Sequence, residues 1–170
     1  MTGLSTNVCT PPLLNIVLYH PEIAANTGAV GRTCVGLGAK LWLVEPLGFQ
    51  IEDRKVKRAG LDYWPYLNWE KVTNWEMLVN RLQAEYPDKS ELRFFFLSKK
   101  GRFEYTDIEF QRGDVLVFGP ESTGLPDRFL TDSETTVRIP IQPEIRSLNL
   151  SVSVAVVGFE ARRQIFSAGL

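Results

Sequence analysis

Short apolar runs recur along the chain, each bounded by glycine, proline or charge. They are Asn15–Leu18, Lys40–Val44, Arg93–Leu97, Asp114–Phe118 and Thr136–Ile139, all rich in β-branched or aromatic side chains. Runs this short and continuous predict buried strands. Longer stretches with helical spacing lie between them. Ala25–Leu37 predicts a helix, with Asn26 or Thr27 as its N-cap and Gly38 as its C-cap. Asn74–Tyr86 predicts a second, because Trp75, Leu78, Val79 and Leu82 share one face and Pro87 stops the turn. The last segment carries two periods at once. Ser151–Val157 alternates like a strand, yet Leu148, Val152, Ala155 and Phe159 fall at helical spacing. A helix over Leu148–Phe166, N-capped by Ser147, is the expectation. Its small face of Ser151, Val154, Gly158 and Ala161 permits close packing, against the chain's own sheet or against a partner. Strands alternating with helices imply an α/β fold, a mostly parallel sheet flanked by helices. Residues 1–13 read as a flexible lead-in and 14–170 as a single domain.

A chain of 170 residues with 44% apolar content has enough material for one sizeable core. The formal net charge of -1 excludes a broadly basic nucleic-acid binder, so any affinity for RNA must come from local patches. The densest basic run is Arg54-Lys55-Val56-Lys57-Arg58, and Tyr63, Trp64 and Tyr66 follow close behind as candidate stacking surfaces. Lys99, Lys100 and Arg102 form a second cluster. The two cysteines, Cys9 and Cys34, cannot build a disulfide framework and have no metal-ligand spacing. There is no secretory signal at the start and no apolar run near the ~20 residues of a membrane span. The expectation is a cytoplasmic protein with no metal and no membrane partner.

Three segments carry candidate chemistry. The first is Asn26-Thr27-Gly28, followed by Arg32, just beyond the first strand. The second is Phe118-Gly119-Pro120-Glu121-Ser122-Thr123-Gly124-Leu125-Pro126, where a strand ends on a glycine and two prolines bracket a polar loop. It matches neither a Walker A loop nor a dinucleotide fingerprint. The third is Ile139-Pro140-Ile141, then Ser147-Leu148-Asn149-Leu150-Ser151. Each by itself is explained as a capped helix or a tight connection.

Their joint order is another matter. Asn-x-Gly-x-x-x-Arg, Phe-Gly-Pro-Glu-x-x-Gly-Leu and Ile-Pro-Ile…Ser-Leu-Asn-Leu-Ser together resemble the three motifs of the SPOUT RNA ribose methyltransferases. Asn15-Ile-Val-Leu-Tyr19, Pro21-Glu22-Ile23, Glu45-Pro46-Leu47-Gly48-Phe49 and Arg58-Ala-Gly-Leu-Asp-Tyr63 are similar to the minimal subfamily that methylates the tRNA wobble nucleotide. The resemblance runs from about Leu14 to Gln164, with Trp64 standing where a histidine is common in relatives.

The resemblance implies a deep trefoil knot near the C-terminus, with S-adenosylmethionine bound in it. It implies cofactor contacts at Leu97, Gly119, Ile139, Ser147, Leu148 and Asn149. It implies a homodimer acting on tRNA, in which Arg32 reaches the reacting centre, often from the partner subunit. The expected reaction transfers a methyl group to the ribose 2′-hydroxyl at position 34, on cytidine or a modified uridine. Asn26, Arg32 and Glu121 are the candidate catalytic residues. Arginine keeps its proton at neutral pH, so Arg32 suits charge stabilisation better than proton removal. Glu121, a phosphate or water is then left as base. Arg54, Lys55 and Arg58 are the candidate RNA contacts. Another RNA as substrate, and a non-catalytic RNA-binding relative, are the competing readings; an unrelated nucleotide binder would need a phosphate-loop glycine pattern that the sequence lacks.

Overall fold

A computed structural model describes residues 11–51, 62–87, 92–131 and 133–168. Seven parallel strands form one sheet in the order β3-β2-β1-β6-β4-β7-β5. The strands are β1 (Asn15–Tyr19), β2 (Lys40–Val44), β3 (Trp69–Val72), β4 (Phe94–Leu97), β5 (Phe103–Glu104), β6 (Val115–Phe118) and β7 (Thr136–Arg138). Among the described residues three α-helices cover it: α1 (Ala24–Leu37), α2 (Trp75–Glu85) and α3 (Leu150–Ser167). The five expected strands are present with ends shifted by a residue at most. The edge strands β3 and β5 were not foreseen. β3 is half-exposed and carries Glu70 and Lys71, and β5 has two residues, so neither stands out as an apolar run.

Alternation within the central strands sends side chains into two cores. Ile16, Leu18, Leu41, Leu43, Leu116 and Phe118 face α1 and α3, meeting Val30, Cys34, Leu37, Val154, Val157 and Ala161. Val17, Tyr19, Trp42, Val44, Val115 and Val117 face α2, meeting Leu78 and Leu82. Burial on both faces is why these strands read as continuous apolar runs. The polar groups buried at the amino ends of the strands are paired. Trp42 donates its indole N–H to Asn15 Oδ1 at 3.0 Å, and Asn15 Nδ2 donates to Tyr86 Oη at 2.9 Å. Lys40 Nζ reaches Glu70 at 3.1 Å and also pairs with Glu85.

Several expectations about the helices change. The last segment is a helix, but its N-cap is Asn149, whose Oδ1 accepts from Ser151 N at 2.9 Å, and not Ser147. The first helix starts one residue earlier than expected and is flanked by Ile23, which makes no side-chain cap bond, so neither Asn26 nor Thr27 caps it. Gly38 does close it, with φ of 73°. The small face of α3 is not free for a partner. Val154 and Ala161 are fully buried, and a Cβ on Gly158 would lie 2.6 Å from Leu37 Cδ1 of α1. That face is small because α1 packs on it within the chain. The apolar side chains α3 leaves exposed are Val152, Phe159 and Phe166, seven residues apart along one stripe. No helix among the described residues is long and apolar enough to cross a membrane.

Candidate active site

The strands β4, β6 and β7 are neighbours in the sheet, and their carboxyl ends open on one cavity of about 500 Å³. Open α/β sheets bind ligands at this end, and the volume is in the range of small-molecule sites. Leu97 ends β4, Gly119 follows β6, and Ile139 follows β7; all three line the cavity. Ser147, Leu148 and Asn149, leading into α3, line it too, as do Asn26 and Glu121. Segments more than a hundred residues apart are thus brought to one place. Leu97, Leu125, Ile139 and Leu148 give the cavity apolar wall, while Ser98, Ser147 and Asn149 supply polar groups. That mixture fits a nucleoside-like ligand, whose base needs apolar contact and whose sugar needs hydrogen bonds.

Glu121 is engaged from three sides. Its carboxylate accepts from Glu22 N at 2.8 Å, Ile23 N at 3.3 Å and Asn26 Nδ2 at 3.1 Å. These donors lie just before and within the first turn of α1, so Glu121 supplies, from a loop 98 residues away, the acceptor that the start of the helix lacks locally. Asn26 Oδ1 in turn accepts from Asn149 Nδ2 at 2.9 Å. One continuous chain of bonds therefore joins the loop after β6, the start of α1 and the start of α3. A second bridge runs the opposite way. Ser122 donates from its backbone N at 2.8 Å and from Oγ at 2.7 Å to Glu22. These two bonds hold the Glu22 carboxyl below its usual range. Sequence spacing had singled out Asn26, Glu121 and Asn149, but not that they bond to one another, and it gave Glu22 and Ser122 no role.

Gly119 is needed for a reason other than ligand clearance. A Cβ there would lie 2.3 Å from Leu125 N and 2.5 Å from the Gly124 carbonyl carbon. The loop folds back on its own start, and only glycine leaves room for that.

Arg32 stands apart. It lies on α1 but is not among the residues lining the cavity. Its guanidinium donates from Nη2 to Asp62 at 2.9 Å and lies 5.0 Å from the Tyr63 ring centre, on the exposed surface. Arg54, Lys55 and Arg58 lie outside the described residues. Of the aromatics behind them, Tyr63 is buried and donates to the Gly28 carbonyl, and Trp64 is packed on Trp69 at 5.6 Å. Tyr66, 77% exposed, is the one whose ring is open to solvent. His20 lies outside the cavity lining; it stacks on Tyr19 at 3.7 Å, and burial followed by the charge of Arg128 lowers its pKa. Cys34 is buried, which pushes its thiol up and keeps it inert. Among the described residues no group of acidic, histidine or cysteine side chains is arranged to hold a metal.

The model of the SpoU rRNA methylase family matches residues 13–159. The chain belongs to that family. It is 46% identical over 159 residues to a tRNA (cytidine(34)-2'-O)-methyltransferase of Methylovorus glucosotrophus, covering 92% of this chain and 99% of the relative. It is 43% identical over 155 residues to the protein of the same name in Escherichia coli, covering 90% of this chain and 94% of that one. Among solved structures, one described as giving insights into the 2-OH methylation of C/U34 on tRNA superposes with a TM-score of 0.84 at 40% identity, covering 93% of this chain and 99% of its own. The methyltransferase AviRb of Streptomyces viridochromogenes, in complex with AdoMet, shares the fold with a TM-score of 0.81 at 22% identity, over 91% of this chain and 58% of its own.

Proposed function

We propose that this protein is an S-adenosylmethionine-dependent tRNA methyltransferase that modifies the ribose 2′-hydroxyl of the wobble nucleotide, position 34. The observation that carries the reading is the cavity, where the ends of β4, β6 and β7 meet the start of α3. Two relatives above 40% identity, matched over nearly their whole length, carry that activity in their names. Leu97, Gly119, Ile139, Ser147, Leu148 and Asn149 would hold the cofactor, the apolar residues against its base and the polar ones against its sugar and amino-acid portions. When bound, the cofactor supplies a methyl group on a sulfonium, a carbon already activated toward a nucleophile. The fold in this reading is the knotted SPOUT form.

The chain's own task is to place a ribose hydroxyl and stabilise the charge it develops. Glu121, its carboxylate accepting from three donors, serves as a positioning residue that holds Asn26 and, through it, Asn149. It is a poor candidate for proton removal. Arg32 supplies the planar fork of donors suited to an alkoxide or a phosphate. Since Arg32 does not line its own chain's cavity, the reading includes a homodimer in which Arg32 of the partner subunit completes each site. The exposed stripe of Val152, Phe159 and Phe166 beside α1 supports such a contact.

Incubation of the purified protein with S-adenosylmethionine and unmodified tRNA, followed by nucleoside mass spectrometry, tests the proposal. A 2′-O-methylated nucleotide mapped to position 34 is the expected product. Methylation confined to another RNA, or tRNA binding with no transfer, would overturn it in favour of one of the competing readings.

A further inference from the structure

Many basic side chains among the described residues are already paired. Arg32, Lys71, Arg81, Arg102, Arg138 and Arg163 each hold a carboxylate within 3.2 Å. The cations around the cavity break that pattern. Lys99 and Arg146 line it, and neither has a carboxylate within 4.0 Å among the described residues. Lys100 also lines it, and its one acidic neighbour, Asp127, is 3.9 Å away with side chains 70% and 94% exposed. An ion pair that long and that solvated contributes almost nothing. The acidic side chains lining the cavity, Glu121 and Asp127, leave the three cations in excess by one, and Glu121 accepts from Glu22 N, Ile23 N and Asn26 Nδ2 and from none of those cations.

The backbones carrying these cations are held in place. Ser98 N donates to the Val137 carbonyl at 2.9 Å, and Gly101 N closes the turn on the Ser98 carbonyl at 2.9 Å, so the segment bearing Lys99 and Lys100 is pinned to β7. Arg146 comes from the segment before α3 and donates one bond, from Nη2 to the Ser122 carbonyl at 3.1 Å. Its remaining N–H groups stay available. Two distant stretches of chain therefore set three under-compensated cations at the rim of one cavity, in a protein whose formal net charge is -1.

Such a rim is unfavourable for a cationic sulfonium unless an anion is to be bound with it. We infer that Lys99, Lys100 and Arg146 form a phosphate-binding rim that grips the RNA backbone beside the nucleotide being methylated. This rests on the RNA methyltransferase reading, and it assigns RNA contacts distinct from the Arg54–Arg58 run. The rim supplies register, not base identity: contacts to phosphate are the same for every sequence.

The test measures tRNA affinity across a salt titration for the wild type and for Lys99→Gln, Lys100→Gln and Arg146→Gln, singly and combined. Arg81→Gln, an equal loss of charge on α2, is the control. Each rim substitution is expected to lower the slope of log K against log salt by about one unit, and the control to leave it unchanged. S-adenosylmethionine affinity, read by calorimetry, should stay within about threefold, and thermal melting should stay in place. Slopes equal to wild type in the combined variant would overturn the inference. So would a large loss of cofactor affinity with tRNA binding intact, which would assign these cations to the cofactor's own carboxylate. If the wild type itself binds no tRNA, it is the underlying functional reading that fails.

Discussion

Replacing Glu121 by glutamine separates two roles that a carboxylate in a cavity can have. If it removes a proton, Glu121→Gln abolishes turnover and leaves folding and cofactor binding untouched. If it caps α1 and ties the wall together, the damage lies elsewhere. One of its oxygens accepts from Glu22 N at 2.8 Å, the other from Ile23 N at 3.3 Å and Asn26 Nδ2 at 3.1 Å. A glutamine keeps one acceptor and turns an NH2 group toward a backbone N–H, so at least one bond is lost and a donor faces a donor. Losing an N-cap acceptor costs about 0.5–2 kcal/mol, and losing the negative charge at a helix N-terminus adds about 0.3–1. Glu121 and Asn26 are half-buried and water can partly replace the bond, so about 1–2 kcal/mol is expected, a fall in Tm of roughly 3–6 °C for a domain of this size. Because Asn26 is also bonded to Asn149, cofactor affinity should weaken several-fold, while turnover at saturating cofactor stays within about fivefold. Differential scanning calorimetry, cofactor titration and single-turnover methylation read the three quantities. An unchanged Tm with turnover reduced a thousandfold would refute the capping argument and restore Glu121 as the base.

Mixing Arg32→Ala with Leu148→Trp, which fills the cavity, should restore activity to two inactive parents. Random exchange makes half the dimers mixed, each with one intact site, so about a quarter of wild-type activity is expected from a two-fold assembly; no recovery after demonstrated subunit exchange would count against the shared site. Gly119→Ala should lose cofactor binding at least tenfold, because its Cβ meets the backbone of Gly124 and Leu125, which cannot yield. Gly158→Ala, whose Cβ meets only the end of the Leu37 side chain, should cost less stability and leave binding intact, and equal effects in calorimetry would refute the distinction. Glu160, bonded to Arg163 and Gln164, has its pKa lowered from 4.5 to about 2. Its stabilising contribution is complete above pH 4.5 and is lost as the pH falls toward 2, so Glu160→Gln should flatten that part of the acid-denaturation curve; parallel curves for both proteins would contradict this.

The central strands were legible in the sequence because they are buried on both faces, which leaves a continuous apolar run. The cap at Gly38 was equally local and equally plain, whereas Asn74, read as the first residue of its helix, proves to be its cap, the side chain accepting from Met77 N at 2.8 Å. The family resemblance placed Asn26, Arg32, Leu97, Gly119, Glu121, Ile139 and Ser147–Asn149 at one site, and all but Arg32 line the cavity. What sequence spacing does not contain is which donor meets which acceptor across 98 residues of chain. For that reason the N-terminus of α1 reads as capped by Asn26 or Thr27, although its cap is Glu121 from another loop. The small face of α3 reads on pattern alone as cover for the chain's own sheet, with a partner as the other reading, because small residues say only that something comes close. Tertiary structure decided for α1, through Leu37 against Gly158, and left Val152, Phe159 and Phe166 outside. The separation of Arg32 from its own cavity is likewise a fact of three dimensions: a motif fixes order along the chain, while the side of a helix from which a residue reaches out depends on everything packed against the other sides.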